Sequence, residues 1–163
     1  MGTRPRHIDG MCKVGLRGSN PEDVETLWAF DLGNGKYRLD NLPRFAYRVS
    51  VGDIIAAEPD KYGMPFMTAV LEKSGNRTIR VIGEIETESA QWTERFSAMI
   101  GELQTLGCGY EGANRKYLAL NIPPEVDLQQ VASILEQAGV QFEYADPTYE
   151  DMYPDTAAVA PAE

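Results

Sequence analysis

Glu25-Thr26-Leu27-Trp28-Ala29-Phe30-Asp31-Leu32-Gly33-Asn34-Gly35-Lys36-Tyr37-Arg38-Leu39-Asp40 reads as two strands joined by a tight turn. Trp28, Phe30 and Leu32 alternate with Ala29 and Asp31, Gly33-Asn34-Gly35 supplies a turn, and Tyr37 and Leu39 resume the alternation, which predicts a hairpin whose buried face carries Trp28 and Phe30. Working outward, Asn41-Leu42-Pro43 closes the hairpin, and Val51-Gly52-Asp53 sets the chain into a strand at Ile54-Ile55-Ala56-Ala57. Glu58-Pro59-Asp60-Lys61-Tyr62-Gly63 bounds that strand, Phe66 to Leu71 supplies its return, and Ser74-Gly75-Asn76 is the next turn. Upstream, Met11 to Leu16 predicts one more strand before the break at Ser19-Asn20-Pro21. Four or five short strands at this spacing point to a small β-barrel or strongly coiled sheet over residues 11–76.

The period then changes. Thr78 to Ile85 is strand-like, and from Ser89 the apolar residues Trp92, Phe96, Met99, Ile100, Leu103 and Leu106 recur at helical spacing until Gly107 ends the run. A second hairpin follows from Tyr110 to Ala113 and from Lys116 to Ile122. Asp127, with Gln130 three residues on, marks the start of a shorter helix. Leu128, Val131, Ile134, Leu135 and Ala138 form its buried stripe, Gly139 ends it, and Val140 to Tyr144 is the last strand. Strand, helix, strand, strand, helix, strand over residues 77–146 is the order of ferredoxin-like folds. The expected fold class is therefore α+β, a barrel-like unit packed on a ferredoxin-like (βαββαβ) unit. Residues 1–10 read as a flexible basic arm, and residues 147–163 as an acidic, disordered tail.

The residues of Glu25–Ala57 carry a resemblance. Leu27-Trp28-Ala29, the glycine-turned hairpin, Tyr37-Arg38-Leu39-Asp40-Asn41, Pro43 with Phe45-Ala46, and Gly52-Asp53 before Ile54 resemble a bacterial family known as domain of unknown function 4265. The resemblance implies a fold and no chemistry. It also implies a small stand-alone protein of bacteria rich in polymorphic toxins, which is an association rather than a mechanism.

Composition narrows the function classes. The chain has 163 residues and a formal charge of −10, which disfavours a nucleic-acid binder that must displace phosphate counterions and favours a partner with a basic surface. Two widely separated cysteines, Cys12 and Cys108, and an N-terminus without an apolar targeting run indicate a cytoplasmic protein with reduced thiols. No run approaches the roughly 20 apolar residues of a membrane span.

Catalytic candidates are poor. The single His, His7, sits in the arm, where a mobile imidazole is badly held for general-base work. With Cys12 and Cys108 it makes three separate potential zinc ligands with no close pair to organise them, so the cysteines read as small buried hydrophobes. Asp40 and Asp53 stand at strand ends, where an aspartate ordinarily caps a turn through backbone N–H groups. Arg38, Arg44 and Arg48 cluster about Asn41-Leu42-Pro43, but nearby carboxylates offset them. No metal, cofactor or catalytic set is expected.

The richest candidate for a protein contact is the C-terminal segment, where tyrosine alternates with acid: Asp146, Tyr149, Glu150, Asp151, Tyr153 and Asp155. Tyrosine combines apolar area with a polar tip, and carboxylates pair with Arg or Lys across an interface. The expected function is a non-enzymatic immunity protein that neutralises a cognate toxin by stoichiometric occlusion. One alternative is a small-ligand or regulatory module at the seam of the two units, drawing on Trp28, Arg38, Asp40, Asn41, Phe45 and Asp53. A second is an enzyme using Asp40, Asp53 or Glu58, which requires two carboxylates to meet in a cleft.

Overall fold

The computed structural model describes residues 10–20, 22–83, 90–114 and 117–157. Strands β1 (Met11–Arg17), β2 (Val24–Gly33), β3 (Lys36–Leu39), β4 (Ile54–Pro59) and β5 (Pro65–Glu72) close into a barrel. Successive strands pair antiparallel, and a parallel bridge between Gly15 and Phe66 closes the ring. Gly15 permits that closure, since a Cβ there would stand 2.5 Å from the Phe66 ring. Between β2 and β3, Asn34 adopts a left-handed conformation (φ 56°) flanked by two positive-φ glycines, as a tight hairpin requires.

The buried face of the hairpin is the opposite of the one expected. Leu27, Ala29 and Leu39 fill the barrel with Val14, Leu16, Val49 and Ile55, while Trp28 and Phe30 lie on the outer face, half-buried. Both faces of β2 are apolar, so alternation alone did not select one; the interior of a five-stranded barrel is narrow and takes the smaller set. Cations cover the two rings outside: Lys13 Nζ lies 4.3 Å from the Trp28 centroid and the Arg38 guanidinium 5.0 Å from that of Phe30.

The second sheet comprises β6 (Arg77–Ile82), β7 (Gly109–Asn114), β8 (Tyr117–Ile122) and β9 (Gln141–Asp146), in the antiparallel order β7-β8-β6-β9. Helices α1 (Ala90–Leu106) and α2 (Leu128–Ala138) intervene after β6 and β8. Met99, Ile100 and Leu103 of α1 and Val131 and Leu135 of α2 pack on one face of the sheet against Ile79, Val81, Leu118, Leu120 and Ile122. Trp92 and Phe96 are partly buried against this core. The Asp127 carboxylate caps α2 by accepting from the Gln129 N–H, and Gly139 ends the helix at φ 70°. The chain is thus mixed α and β, with a five-stranded barrel and a second, four-stranded sheet. Among the described residues no helix is long and apolar enough to cross a membrane.

Residues 41–51 strap the barrel to the other face of this sheet. Leu42 N–H and the Asn41 amide donate to Glu111 on β7, Tyr117 of β8 donates to the Arg44 carbonyl, Arg80 of β6 donates to the Ala46 carbonyl, and Tyr47 donates to Glu143 of β9. The strap crosses the strands in their spatial order. Glu25, buried in β2, holds the strap from beneath, its Oε2 accepting from Arg44 N (2.8 Å) and Phe45 N (2.9 Å). Burial pushes the Glu25 carboxyl up, and these backbone donors with Arg80 oppose the shift.

Beyond β9 the expected disorder is replaced by structure over residues 147–157. Thr148 caps a short helix α3 (Tyr149–Met152) in a capping box with Asp151, and a further turn α4 (Pro154–Ala157) follows. Acidic composition concealed the local capping signal. The expectations for the arm at residues 1–9, including His7, and for residues 158–163 lie outside the described residues.

Candidate functional site at the seam

Four of the six acidic and tyrosine residues named from the C-terminal segment are given fixed places by the seam, Tyr149, Asp151 and Tyr153 on one face and Asp146 inside the junction. Arg48, at the far end of the strap, adopts a left-handed backbone (φ 61°), an uncommon conformation for a side-chain-bearing residue. Its N–H donates to the Ala145 carbonyl (2.9 Å), and its guanidinium Nε pairs with Asp151 Oδ2 at 3.0 Å. Hydrogen bonding from Thr148, followed by that from Arg48, holds the Asp151 carboxyl below the ordinary carboxylate value. Helix α3 is thereby pinned against the barrel, and Tyr149 and Tyr153 are presented outward with their ring centroids 4.8 Å apart. They are 51% and 40% exposed.

Beside this pair opens a concave cavity of about 670 Å³, bordered by Tyr47 and Arg48 of the strap, Phe142, Glu143 and Tyr144 of β9, and Tyr149 and Glu150 of α3. The Phe142 and Tyr144 rings meet edge to face at 5.7 Å, and Tyr144 lies 6.5 Å from Tyr149. Burial raises the Tyr144 phenol above its ordinary value, reinforced by Tyr153 and Glu136; burial and the bond to Glu143 do the same for Tyr47. These phenols stay protonated at neutral pH. A smaller neighbouring cavity of about 280 Å³, lined by Phe45, Arg44 and Arg80, shares Tyr47 and Glu143 with the larger one.

Asp146 is not part of this face. It is buried, and its Oδ2 accepts from Ser50 Oγ (2.6 Å) and Lys73 Nζ (2.6 Å). Lys73 Nζ also reaches Asp53 Oδ2 at 2.5 Å, while Asp53 accepts from Ser50 N and Ser74 N. Two carboxylates therefore do meet, but they are Asp53 and Asp146, bridged by a lysine and occupied by backbone and hydroxyl donors. Asp40 and Glu58 are exposed elsewhere. Asp155 is exposed on α4. The residues of the seam-pocket alternative are dispersed: Trp28 and Arg38 face outward from the barrel, Asn41 accepts from Trp28 N and donates to Glu111, and Phe45 lines the smaller cavity. The three arginines separate too, Arg38 over Phe30, Arg44 at the smaller cavity and Arg48 on Asp151.

Tyr47, Phe142 and Glu143 were not among the residues expected at the site. A signal for the local order existed in the pattern Thr148-x-x-Asp151; for the cavity walls there was none, because the strap and β9 are almost a hundred positions apart. Among the described residues no group of three or more His, Cys, Asp or Glu side chains is disposed to hold a metal ion. Cys12 is half-buried and Cys108 buried, both as free thiols.

A family model described as "Domain of unknown function (DUF4265)" matches residues 25–143. No curated protein matches the chain. A solved structure described as "Novel crystal structure of a hypothetical protein from Neisseria gonorrhoeae" is similar in fold, with a TM-score of 0.68 over 89% of this chain and 99% of that one, at 19% identity.

Proposed function

The chain belongs to the family described as Domain of unknown function (DUF4265), and on that premise we propose that it is a non-enzymatic, cytoplasmic immunity protein that occludes a cognate toxin stoichiometrically. The observation that carries this reading is the exposed Tyr149–Tyr153 pair, held in position by the Asp151–Arg48 ion pair beside an aromatic cavity. Rings already fixed before binding lose little conformational entropy on contact, and tyrosines of this kind are common anchors of protein interfaces. The net charge of −10 supports a partner with a basic surface and counts against nucleic acid. For the second sheet, the order β7-β8-β6-β9 with α1 and α2 on one face supports a ferredoxin-like reading.

The test is co-expression with the products of the adjoining genes. The reading predicts that one of them is toxic alone, is rendered harmless by this chain, and co-purifies with it in a 1:1 complex. Absence of any such partner would remove it. The cavity of about 670 Å³ favours a second reading, a small-ligand module, for which a metabolite retained through purification would be the discriminating result.

A further inference from the structure

We propose that the cavity at the seam seats the side chain of an arginine or lysine carried on an extended segment of the protein partner, an inference that rests on the binding reading above and names the chemistry of the same site. Aromatic residues form much of its wall: Tyr47, Phe142, Tyr144 and Tyr149 all border it, with the Phe142 and Tyr144 rings edge to face at 5.7 Å and Tyr144 6.5 Å from Tyr149. A cation is attracted to such faces by the ring quadrupole, most strongly where water is partly excluded. The chain already uses this chemistry at one wall, because the Arg80 guanidinium lies 4.8 Å from the Tyr47 centroid.

Charge selects a cation over an anion. Glu143 and Glu150 border the cavity, and Glu150 has no ion-pair partner among the described residues. Among the described residues, Arg48 is the one cation bordering the cavity and is paired with Asp151 at 3.0 Å, and the buried Arg80 donates to the Ala46 carbonyl and lies 3.4 Å from Glu143. An entering carboxylate would meet two carboxylates and, among the described residues, only positive groups already paired with carboxylates. An entering guanidinium or ammonium would find rings on its faces and Glu150 for its hydrogen bonds.

Position selects an extended segment. Side chains of consecutive strand residues point to opposite sides of a sheet. Phe142, Glu143 and Tyr144 nevertheless all border the cavity, which therefore wraps the edge of β9, an outer strand in the order β7-β8-β6-β9. Outer strands offer backbone groups to an added strand.

The experiment titrates acetyl-Gly-Gly-Arg-Gly-Gly-amide into the full chain and follows tyrosine ring resonances by NMR, with the uncharged citrulline peptide as comparison. The inference predicts saturable shifts confined to Tyr47, Tyr144 and Tyr149. Citrulline should bind about tenfold more weakly, and Glu150→Gln should weaken the arginine peptide about threefold, as loss of one cation–π or partly exposed ionic contact requires. Equal binding of both peptides, shifts on another face, or no saturation would overturn it. A toxin complex that forms while the peptide fails refutes this inference and leaves the immunity reading standing; peptide binding with no toxin partner does the reverse.

Discussion

Lys73, just past the end of β5 in the barrel, donates to Asp146 at the end of β9 across 2.6 Å, and the same Nζ reaches Asp53 at 2.5 Å. This lysine joins the barrel to the second sheet at a part-buried point where two carboxylates would otherwise face each other. The Ser50 hydroxyl, bonded to Asp146 and to Thr78 of β6, completes the junction.

Replacing Lys73 by Met should therefore destabilise the fold. Removing one partner of an enclosed ion pair costs about 3–5 kcal/mol, and about 2–3 kcal/mol is expected here because water reaches the lysine. Its side chain is 45% exposed, against 0% for Asp53. Urea unfolding at neutral pH measures the loss.

The same junction sets an alkaline limit. Burial would lower the Lys73 pKa, but hydrogen bonds to Asp146 and Asp53 outweigh it and hold the value above 10.5. A raised folded-state pKa means that the contribution is complete below the unfolded value and is lost as pH climbs through the folded one. Tyr117, which anchors the strap at Arg44, is pushed from 10.0 up to about 12 by burial. Between those values the unfolded chain releases a proton that the folded chain keeps, so stability falls. Urea midpoints should hold from neutral pH to about pH 10 and decline above it, less steeply in Tyr117→Phe.

The orientation of β2 gives a paired test in the barrel. Leu27→Ala empties a position only 5% exposed and should cost about 2–5 kcal/mol. Trp28→Ala removes an outer ring covered by Lys13 and should cost less than Leu27→Ala despite deleting more atoms. Thermal or urea unfolding of the two variants ranks them directly.

Local signals made much of the fold legible. Asp127 and Gly139 bracket α2 because a cap and a left-handed terminus are written in neighbouring residues. The strap was visible as a motif, Asp40-Asn41-Leu42-Pro43-Arg44-Phe45-Ala46, without its role, since Glu111, Tyr117, Arg80 and Glu143 lie in strands distant in the sequence. The facing of β2 was misread because Leu27 and Ala29 compete with Trp28 and Phe30 on equal periodicity. Asp146 was misread because no neighbouring residue announces Lys73 or Ser50. Tyr149 and Glu150, singled out by composition, border the cavity with Tyr47 and Tyr144, which meet them only through the strap's crossing of the sheet.

The central claim is that the face built around Tyr149 and Tyr153 binds a basic protein. The most direct measurement is the binding kinetics of the co-purified partner to wild type, Tyr149→Ala, and Glu150→Gln combined with Asp155→Asn, each at two salt concentrations. Loss of a tyrosine anchor should raise the dissociation rate by about tenfold or more with little change in melting temperature. Loss of the two exposed carboxylates should lower the association rate and flatten its salt dependence. Rates unchanged in both folded variants would contradict the claim and move the interface to another surface.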